Sequence, residues 1–244
     1  MRTESKQLKE LIASSKRIVF FGGAGVSTES KIPDFRSADG LYQQNRYPYP
    51  AEVMLSHAFF MSHTKAFYDY YVHEMIYPNA LPNAAHIALA KLEASGKLTA
   101  LITQNIDGLH QKAGSKHVLE LHGSVLRNRC MTCGKQYDLN AVLSHQGDIP
   151  KCDCGGIIKP DVVLYGEGLD DAVVNEAIDA IARADLLIVG GTSLVVYPAA
   201  GLLRYFRGKH LVLINKEEIT ADHLAELVIH APIGEVLKEA ILED

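Results

Sequence analysis

Short apolar runs recur along this chain, each leading into a turn or a helical pattern, and that rhythm constrains the fold more than any other feature. The runs are Arg17-Ile18-Val19-Phe20-Phe21, Leu98 to Ile102, Val118 to Leu121, Asp161 to Tyr165, Leu186 to Gly190, Leu211 to Asn215 and Leu227 to His230. Their apolarity is near-continuous instead of alternating, as in strands buried on both faces. Helical patterns lie between them. Asn83 reads as an N-cap and Gly96 as a C-terminal stop around Ile87, Ala90 and Leu92. A second helix is predicted from about Asp170 to Arg183, with Val174, Ile178 and Ile181 at core spacing. Alternating strand and helix imply an α/β fold on a doubly wound, parallel, Rossmann-like sheet, with ligands beyond the carboxyl ends of its strands.

Two segments interrupt the rhythm. From Ser37 to Pro82 there are only aromatic-rich helical patterns such as Phe60, Phe67, Tyr71 and Met75, and from Arg127 to Lys159 the four cysteines sit in a polar, glycine-containing stretch. At about 150 residues per domain, 244 residues make one large domain with a small inserted module. The expected division is a large lobe from residues 1–36, 83–126 and 160–244, and a small lobe from 37–82, helical, and 127–159, built on the cysteines.

A hydrophobic content of 48% excludes a disordered chain, and a formal net charge of -5 excludes a protein that grips nucleic acid through bulk positive charge. Residues 1–17, with Leu8, Leu11 and Ile12, read as a short amphipathic helix and not as a signal peptide. Leu186 to Leu203 carries no charge over a length near the ~18 residues of a membrane span. Its centre, Gly190-Gly191-Thr192-Ser193, and the following Pro198 make it a strand, a polar turn and a helix start. A soluble, cytoplasmic protein is expected, with no membrane partner. In a reducing compartment its cysteines point to metal or redox chemistry before disulfides.

Several strand ends carry polar motifs. Gly22-Gly23-Ala24-Gly25-Val26-Ser27 follows the first strand directly. Glycines at a strand-to-helix turn let backbone amides approach a pyrophosphate, with a helix N-terminus supplying positive potential, although they equally suit a tight structural turn. Thr28 stands where the third glycine of G-x-G-x-x-G would, and no acidic residue closes an obvious second strand. Asn215, ending Leu211 to Ile214, is therefore the candidate for ribose hydroxyls, and Lys216 beside it reads as solvated. Ile32-Pro33-Asp34-Phe35-Arg36 offers an aromatic to cover a nucleotide and a guanidinium for its charge, or is simply a loop. Thr103-Gln104-Asn105-Ile106-Asp107-Gly108-Leu109-His110 suits hydrogen bonding to a ribose and a carboxamide, or an Asx-rich turn.

Leu121-His122-Gly123-Ser124 ends another strand with a histidine able to act as a general base near neutral pH. Among eleven histidines it stands out only through the motifs converging on it. His117 to Leu121 fails the H-x-x-E-H zinc-peptidase pattern, because Leu121 fills the second histidine position. Thr192 and Ser193 offer hydroxyls to phosphates or ribose, and Val195, Val196 and Tyr197 beside them suit a peptide-facing edge. Cys130-Met131-Thr132-Cys133 and Cys152-Asp153-Cys154 are close pairs separated by 18 residues, suited to tetrahedral Zn²⁺. Four thiolates leave no position for a catalytic water, so Cys130, Cys133, Cys152 and Cys154 are expected to hold a structural ion.

Together these stretches resemble the sirtuins, the NAD-dependent protein-lysine deacylases, over about residues 12–235. Gly23 to Ser27 running into Ile32 to Ser37, Thr103 to His110, Leu121 to Gly123, Pro160 to Glu167 and Gly191 to Leu194 fall in the family's order, with the cysteine module between. The resemblance implies NAD contacts from Gly22, Ala24, Thr28, Phe35, Arg36, Gln104, Thr192, Ser193, Asn215 and Ile233, and a nicotinamide pocket from Asn105, Ile106 and Asp107. It places the acyl-lysine between Val162, Val163, Tyr165, Gly166 and the stretch Leu194, Val195, Val196, paired as a strand with both. The implied reaction consumes NAD. The acyl oxygen attacks C1′ of the nicotinamide ribose, expelling nicotinamide and leaving an alkylimidate. His122, as general base, deprotonates a ribose hydroxyl, which then attacks the imidate carbon; collapse and hydrolysis release free lysine and O-acetyl-ADP-ribose beside the expelled nicotinamide, and Asn105 is counted with His122 among the catalytic residues. Phe35 would shield the ribosyl centre from water. The implied partner is acetylated lysine in a protein or peptide, and the expected state is a monomer.

Three positions depart from the family pattern. Lys31 replaces the Gly before Ile-Pro, so that turn is expected to be reshaped. Tyr165 replaces the usual Phe before Gly-Glu. Tyr68-Asp69-Tyr70-Tyr71 stands where succinyl- and malonyl-directed members carry Tyr-x-x-Arg, which favours an uncharged acyl group. The alternatives are a mono-ADP-ribosyltransferase on the same fold and a zinc-ribbon binding module without catalysis.

Overall fold

The structure is a computed structural model that describes residues 1–37, 40–43 and 46–243. Its strands are β1 (Ile18–Gly22), β2 (Leu98–Thr103), β3 (Val118–Glu120), β4 (Gly123–Cys130), β5 (Gln136–Asp138), β6 (Ile158–Val162), β7 (Leu186–Gly190), β8 (His210–Asn215) and β9 (Leu227–His230). Six of them form a parallel sheet in the order β3-β2-β1-β7-β8-β9.

Successive side chains of a strand point to opposite faces, and here both faces are covered. Ile18, Phe20, Leu186, Ile188, Val212 and Ile214 pack with Leu8 and Ile12 of the helix Thr3–Ser14 and with Ala88, Leu89 and Leu92 of the helix Ala84–Ala94. Val19, Phe21, Leu187, Val189 and Leu213 pack with Ala177 and Ile181 of the helix Asp171–Arg183. Near-continuous apolarity in the sequence is the signature of this double cover. Two of these three helices start as their caps dictate: Asn83 accepts from the Ala85 N–H, and Asp170 from those of Ala172 and Val173.

Two expectations are corrected. Asp161 to Tyr165 is no strand of the parallel sheet; β6 pairs antiparallel with β4, and Asp161 is exposed between buried Pro160 and Val162, the alternation of a strand covered on one face. Ile87 is not a core residue. The cap at Asn83 sets the helix phase so that Ala85, Ala88, Leu89 and Leu92 face the sheet and Ile87 is 48% exposed.

The smaller lobe combines the antiparallel sheet β5-β4-β6 with the helices His57–Ser62 and Thr64–Tyr70, the latter continuing as a π-turn over Tyr71–Met75. Phe59, Phe60, Phe67, Tyr68 and Tyr71 pack there against Val125, Val142, Val162 and Leu164. β6 leads directly back toward the large sheet, so the lobe hangs over the rim where the parallel strands end.

Candidate active site

Strand order reverses between β1 and β7, and a doubly wound sheet binds ligands at that crossing. The loops leaving the two strands interlock there. The Gly25 N–H donates to the Gly191 carbonyl at 2.8 Å and the Gly23 N–H to the Gly190 carbonyl at 3.3 Å. A Cβ on Gly25 would sit 2.7 Å from Gly191 Cα, so the approach requires glycine. This corrects the expected phosphate turn in two respects. Gly23 and Gly25 spend their amides on the neighbouring loop, leaving the Ala24 N–H without a protein partner among the described residues. The loop then leads into no α-helix but into the single 3₁₀ turns Ala24–Val26 and Thr28–Ser30, so no long helix dipole is aimed at it.

From this seam a hydrogen-bonded chain runs across the strand ends. Asn215 Oδ1 accepts from the Thr192 N–H at 2.9 Å, and Gln104 Nε2 donates to Thr192 Oγ1 at 3.0 Å. Asn215 Nδ2 is buried without a protein partner among the described residues, a donor on the cleft wall. Ser27 is buried between two functional groups: it accepts from Asn105 Nδ2 at 3.1 Å, and its hydroxyl donates to Asp107 Oδ2 at 2.6 Å. Burial raises the Asp107 carboxyl above the ordinary aspartate range, against the pull of the Ser27 hydroxyl and the Leu109 N–H. At the end of the neighbouring strand, His122 Nδ1 lies 2.9 Å from the Gln104 carbonyl. A carbonyl only accepts, so Nδ1 carries the proton and Nε2 keeps its lone pair. Burial lowers the His122 imidazole below its usual value, which holds it neutral at physiological pH.

These groups line one cleft of about 920 Å³ between the sheet rim and the smaller lobe, near the upper end of ordinary small-molecule sites. Ala24, Thr28, Phe35, Arg36, Gln104, Asn105, Ile106, Asp107, His122, Thr192, Ser193, Asn215 and Ile233 all reach it, as do Val162, Val163, Tyr165, Gly166 and Val196. Gly22, Leu194 and Val195 do not. Gly22 is the buried last residue of β1, and Val195 faces solvent. Ser27 was legible only as part of the glycine motif. Of the wall formed by Tyr71, Glu74, Met75 and Tyr77, only Tyr71 carries a sequence signal beyond helical spacing, through the stretch Tyr68 to Tyr71; Tyr68 itself is buried with its hydroxyl on the Ile158 carbonyl and does not line the cleft.

The segment after β6 is anchored on two sides. The Val163 N–H donates to the His122 carbonyl at 3.0 Å, while the Tyr165 N–H donates to Leu55 and the Tyr165 carbonyl accepts from His57. The hydroxyls of Tyr165 and Tyr42 bond to each other, and the Tyr42 ring lies edge-on to Phe35, with the Arg36 guanidinium 5.2 Å from its centre.

The thiols of Cys130, Cys133, Cys152 and Cys154 converge to within 4.8 Å of one another. Cys130 and Cys154 Sγ are 3.5 Å apart and Cys133 and Cys152 Sγ 3.6 Å. A disulfide would need ~2.05 Å, whereas sulfurs ~2.3 Å from a shared tetrahedral ion stand about 3.8 Å apart. The set fits Zn²⁺. The Thr132 and Cys133 N–H groups point at Cys130 Sγ and the Tyr137 hydroxyl at Cys152 Sγ, favouring the thiolate at each.

Comparison with models of protein families matches residues 23–198 to the Sir2 family. The chain belongs to the Sir2 family. A Clostridium acetobutylicum protein called an NAD-dependent protein deacetylase is 62% identical over 237 residues, covering 96% of this chain and 97% of its own. One of the same description from Clostridium perfringens is 60% identical and covers 99% and 100%. Among solved structures, a Sir2 described with a p53 peptide and NAD⁺ superposes with a TM-score of 0.86 at 41% identity, covering 100% of this chain and 98% of that one. Within the Sir2 family pattern, Lys31 is instructive. It holds φ 65° and ψ 25°, a left-handed conformation that glycine adopts readily, so this position keeps a backbone open to glycine although it carries a lysine.

Proposed function

We propose that the protein is an NAD-dependent protein-lysine deacetylase, and the observation that carries this is the tautomer of His122. Its Nδ1–H is tied to the Gln104 carbonyl, which leaves Nε2 a free base, at the place where the nucleotide wall (Thr192, Asn215) meets the segment Val162 to Gly166. When bound, NAD supplies an electrophilic ribose carbon, a leaving nicotinamide and the ADP-ribose that accepts the acyl group. The chain's residues do the rest. Asn215 Nδ2 and the Ala24 N–H offer unspent donors to ribose and phosphate, with Gly22 behind them and Thr28, Gln104, Ser193 and Ile233 along the same wall. Asn105, Ile106 and Asp107 receive nicotinamide, Phe35 excludes water and Arg36 offsets phosphate charge. His122 takes a ribose hydroxyl proton, and Asn105 is held for its part by Ser27. Acetylated lysine enters along Val162, Val163, Tyr165 and Gly166, facing Leu194, Val195 and Val196. Zinc on Cys130, Cys133, Cys152 and Cys154 braces the smaller lobe.

The same reading divides the chain into lobes at 1–36, 83–126 and 160–244 against 37–82 and 127–159, and takes it as a cytoplasmic monomer without nucleic-acid partners. Among the described residues no helix is long and apolar enough to cross a membrane. Among the described residues, the cleft wall given by the insertion brings Tyr42, Tyr71, Met75 and Tyr77 to the cleft and no Lys or Arg, and its one carboxylate, Glu74, is paired with Arg46 at 3.9 Å; the wall therefore offers no free cation to a succinyl carboxylate, which supports an uncharged acyl group.

Mass spectrometry of an acetylated peptide incubated with NAD tests this. Free lysine and O-acetyl-ADP-ribose are expected, succinyl peptide turning over far more slowly. General-base catalysis contributes roughly 10²–10⁴-fold, so His122→Ala lowers turnover at least ~100-fold with fold and zinc content retained. Surviving activity refutes the base assignment. Label from NAD left on the protein instead favours the mono-ADP-ribosyltransferase.

A further inference from the structure

The segment that would receive the peptide is built around one carboxylate that the proposed chemistry does not use. Leu164 to Glu167 form a turn closed by the Glu167 N–H donating to the Leu164 carbonyl at 2.9 Å. Gly166, its third residue, has φ 88°, the positive value that type II turns demand. The Glu167 side chain folds back over this turn. Its Oε2 accepts from the Leu164 N–H at 2.9 Å and from Lys159 Nζ at 3.1 Å, and its Oε1 lies 2.8 Å from His57 Nδ1. Lys159 also donates to the Val162 carbonyl at 3.1 Å and the Pro160 carbonyl at 3.3 Å, so one ammonium spans the end of β6 and the turn. The His57 N–H holds the Tyr165 carbonyl from the other side.

Together these bonds use up most of the segment's polar backbone. Val163 gives its N–H to His122, and Tyr165 gives both its groups to residues 55 and 57. The Val163 carbonyl and both backbone groups of Gly166 are what remain without a protein partner among the described residues. An extended peptide adds to an exposed edge through such groups.

We propose that Glu167 is a positioning residue for the acylated peptide: by gathering Leu164, Lys159 and His57 onto one carboxylate it fixes the turn so that the Val163 carbonyl and Gly166 amide present a ready edge. The inference rests on the deacetylase reading for the identity of the peptide. Hydrogen bonds to an ionised acceptor are roughly twice as strong as neutral ones, so removing the charge alone loosens the turn. Glu167→Gln keeps an oxygen for the Leu164 N–H but withdraws the attraction for Lys159. Lys159→Met removes the same pair from the other end.

The experiment measures binding of a fluorescent acetylated peptide by anisotropy, together with KM for peptide and for NAD, kcat and the melting temperature. For Glu167→Gln we expect peptide Kd and KM to rise about tenfold while kcat at saturating peptide and KM for NAD stay within twofold. Lys159→Met should match it, the double variant should add little, and Glu167→Asp, which keeps the charge on a shorter stem, should fall between. Peptide affinity unchanged within twofold in both single variants overturns the proposal. So does a joint loss of kcat and both affinities with a fall in melting temperature, which a merely structural role predicts. A wild-type protein that binds the peptide without deacetylating it removes the catalytic reading and leaves the clamp standing; one that binds no acetylated peptide removes both.

Discussion

The parallel sheet and the cysteine module hold themselves together by different means. Each sheet face carries an extensive apolar core, whereas the buried apolar cluster at the cysteines consists of Cys130, Cys152 and Ile158, with Tyr137 against it. The sheet can lose one contact and keep its fold. The module, with so little apolar surface to bury, depends on the bonds its sulfurs make. The two regions also place opposite demands on ionisable groups: the module needs thiolates, and the sheet buries neutral imidazoles. The His86 and His110 rings lie 4.7 Å apart, tilted at 57° to each other, on the side of the sheet that holds Phe20. His86 Nε2 and both His110 nitrogens lack partners among the described residues.

The largest effect that would break this comparison is removal of the ion. Structural zinc supplies about 10–16 kcal/mol in small modules at neutral pH. Chelation, or Cys152→Ala, is therefore expected to disorder residues around 127–159 while the parallel sheet persists. Hydrogen exchange would register this as lost protection in β4, β5 and β6 alone. Equal loss in β1 and β7 would mean that the two regions fold as one.

Acid provides a smaller and more graded test. Burial lowers the His86 imidazole to about 4 and that of His110 to about 3, the latter also repelled by His86. Unfolding restores an ordinary value near 6.5. The unfolded chain therefore binds more protons below that pH, and stability falls as pH drops from about 6.5 toward 4. By linkage this is roughly 2 kcal/mol per imidazole at pH 5. Across this range the melting temperature of wild type should fall further on acidification than that of His110→Leu, which has lost one of the two titrating imidazoles. A constant gap would place the acid sensitivity elsewhere.

Lys31 sharpens the comparison at its smallest scale, because it is a local strain in the region least in need of support. Glycine relieves a left-handed backbone but costs chain entropy. Lys31→Gly is expected to gain up to about 1 kcal/mol, seen as a small rise in melting temperature; a clear fall would show that the lysine side chain is itself holding the turn.

Much of this was legible in the sequence where a single physical demand dominates. Strands covered on both faces must be apolar throughout, so Leu186–Gly190 and Leu227–His230 emerged with their observed ends. The cysteine spacing announced its cluster for the same reason. Where two demands mix, the sequence misleads. Asp161 to Tyr165 is apolar enough for a core strand, yet it lies where a half-covered strand passes into a turn. Ile87 has helical spacing, but only the cap geometry at Asn83 says which face turns inward. Ser27, Glu74, Met75 and Tyr77 belong to the cleft through tertiary placement, which no local pattern encodes. Leu194 and Val195 sit beside reaching residues, and Leu194 turns through a positive φ of 54°.

The seam between the β1 and β7 loops carries one further consequence. Because Gly25 and Gly191 touch backbone to backbone, neither loop can acquire a side chain there unless the other retreats, and a retreat would carry the Ala24 amide and Thr192 with it. The substitutions open to one loop are thus conditional on the other, so this wall of the cleft changes in the course of evolution as a unit. Diversity in what the cleft accepts is left to the opposite wall, where Tyr42, Glu74 and Tyr165 stand on separate pieces of chain.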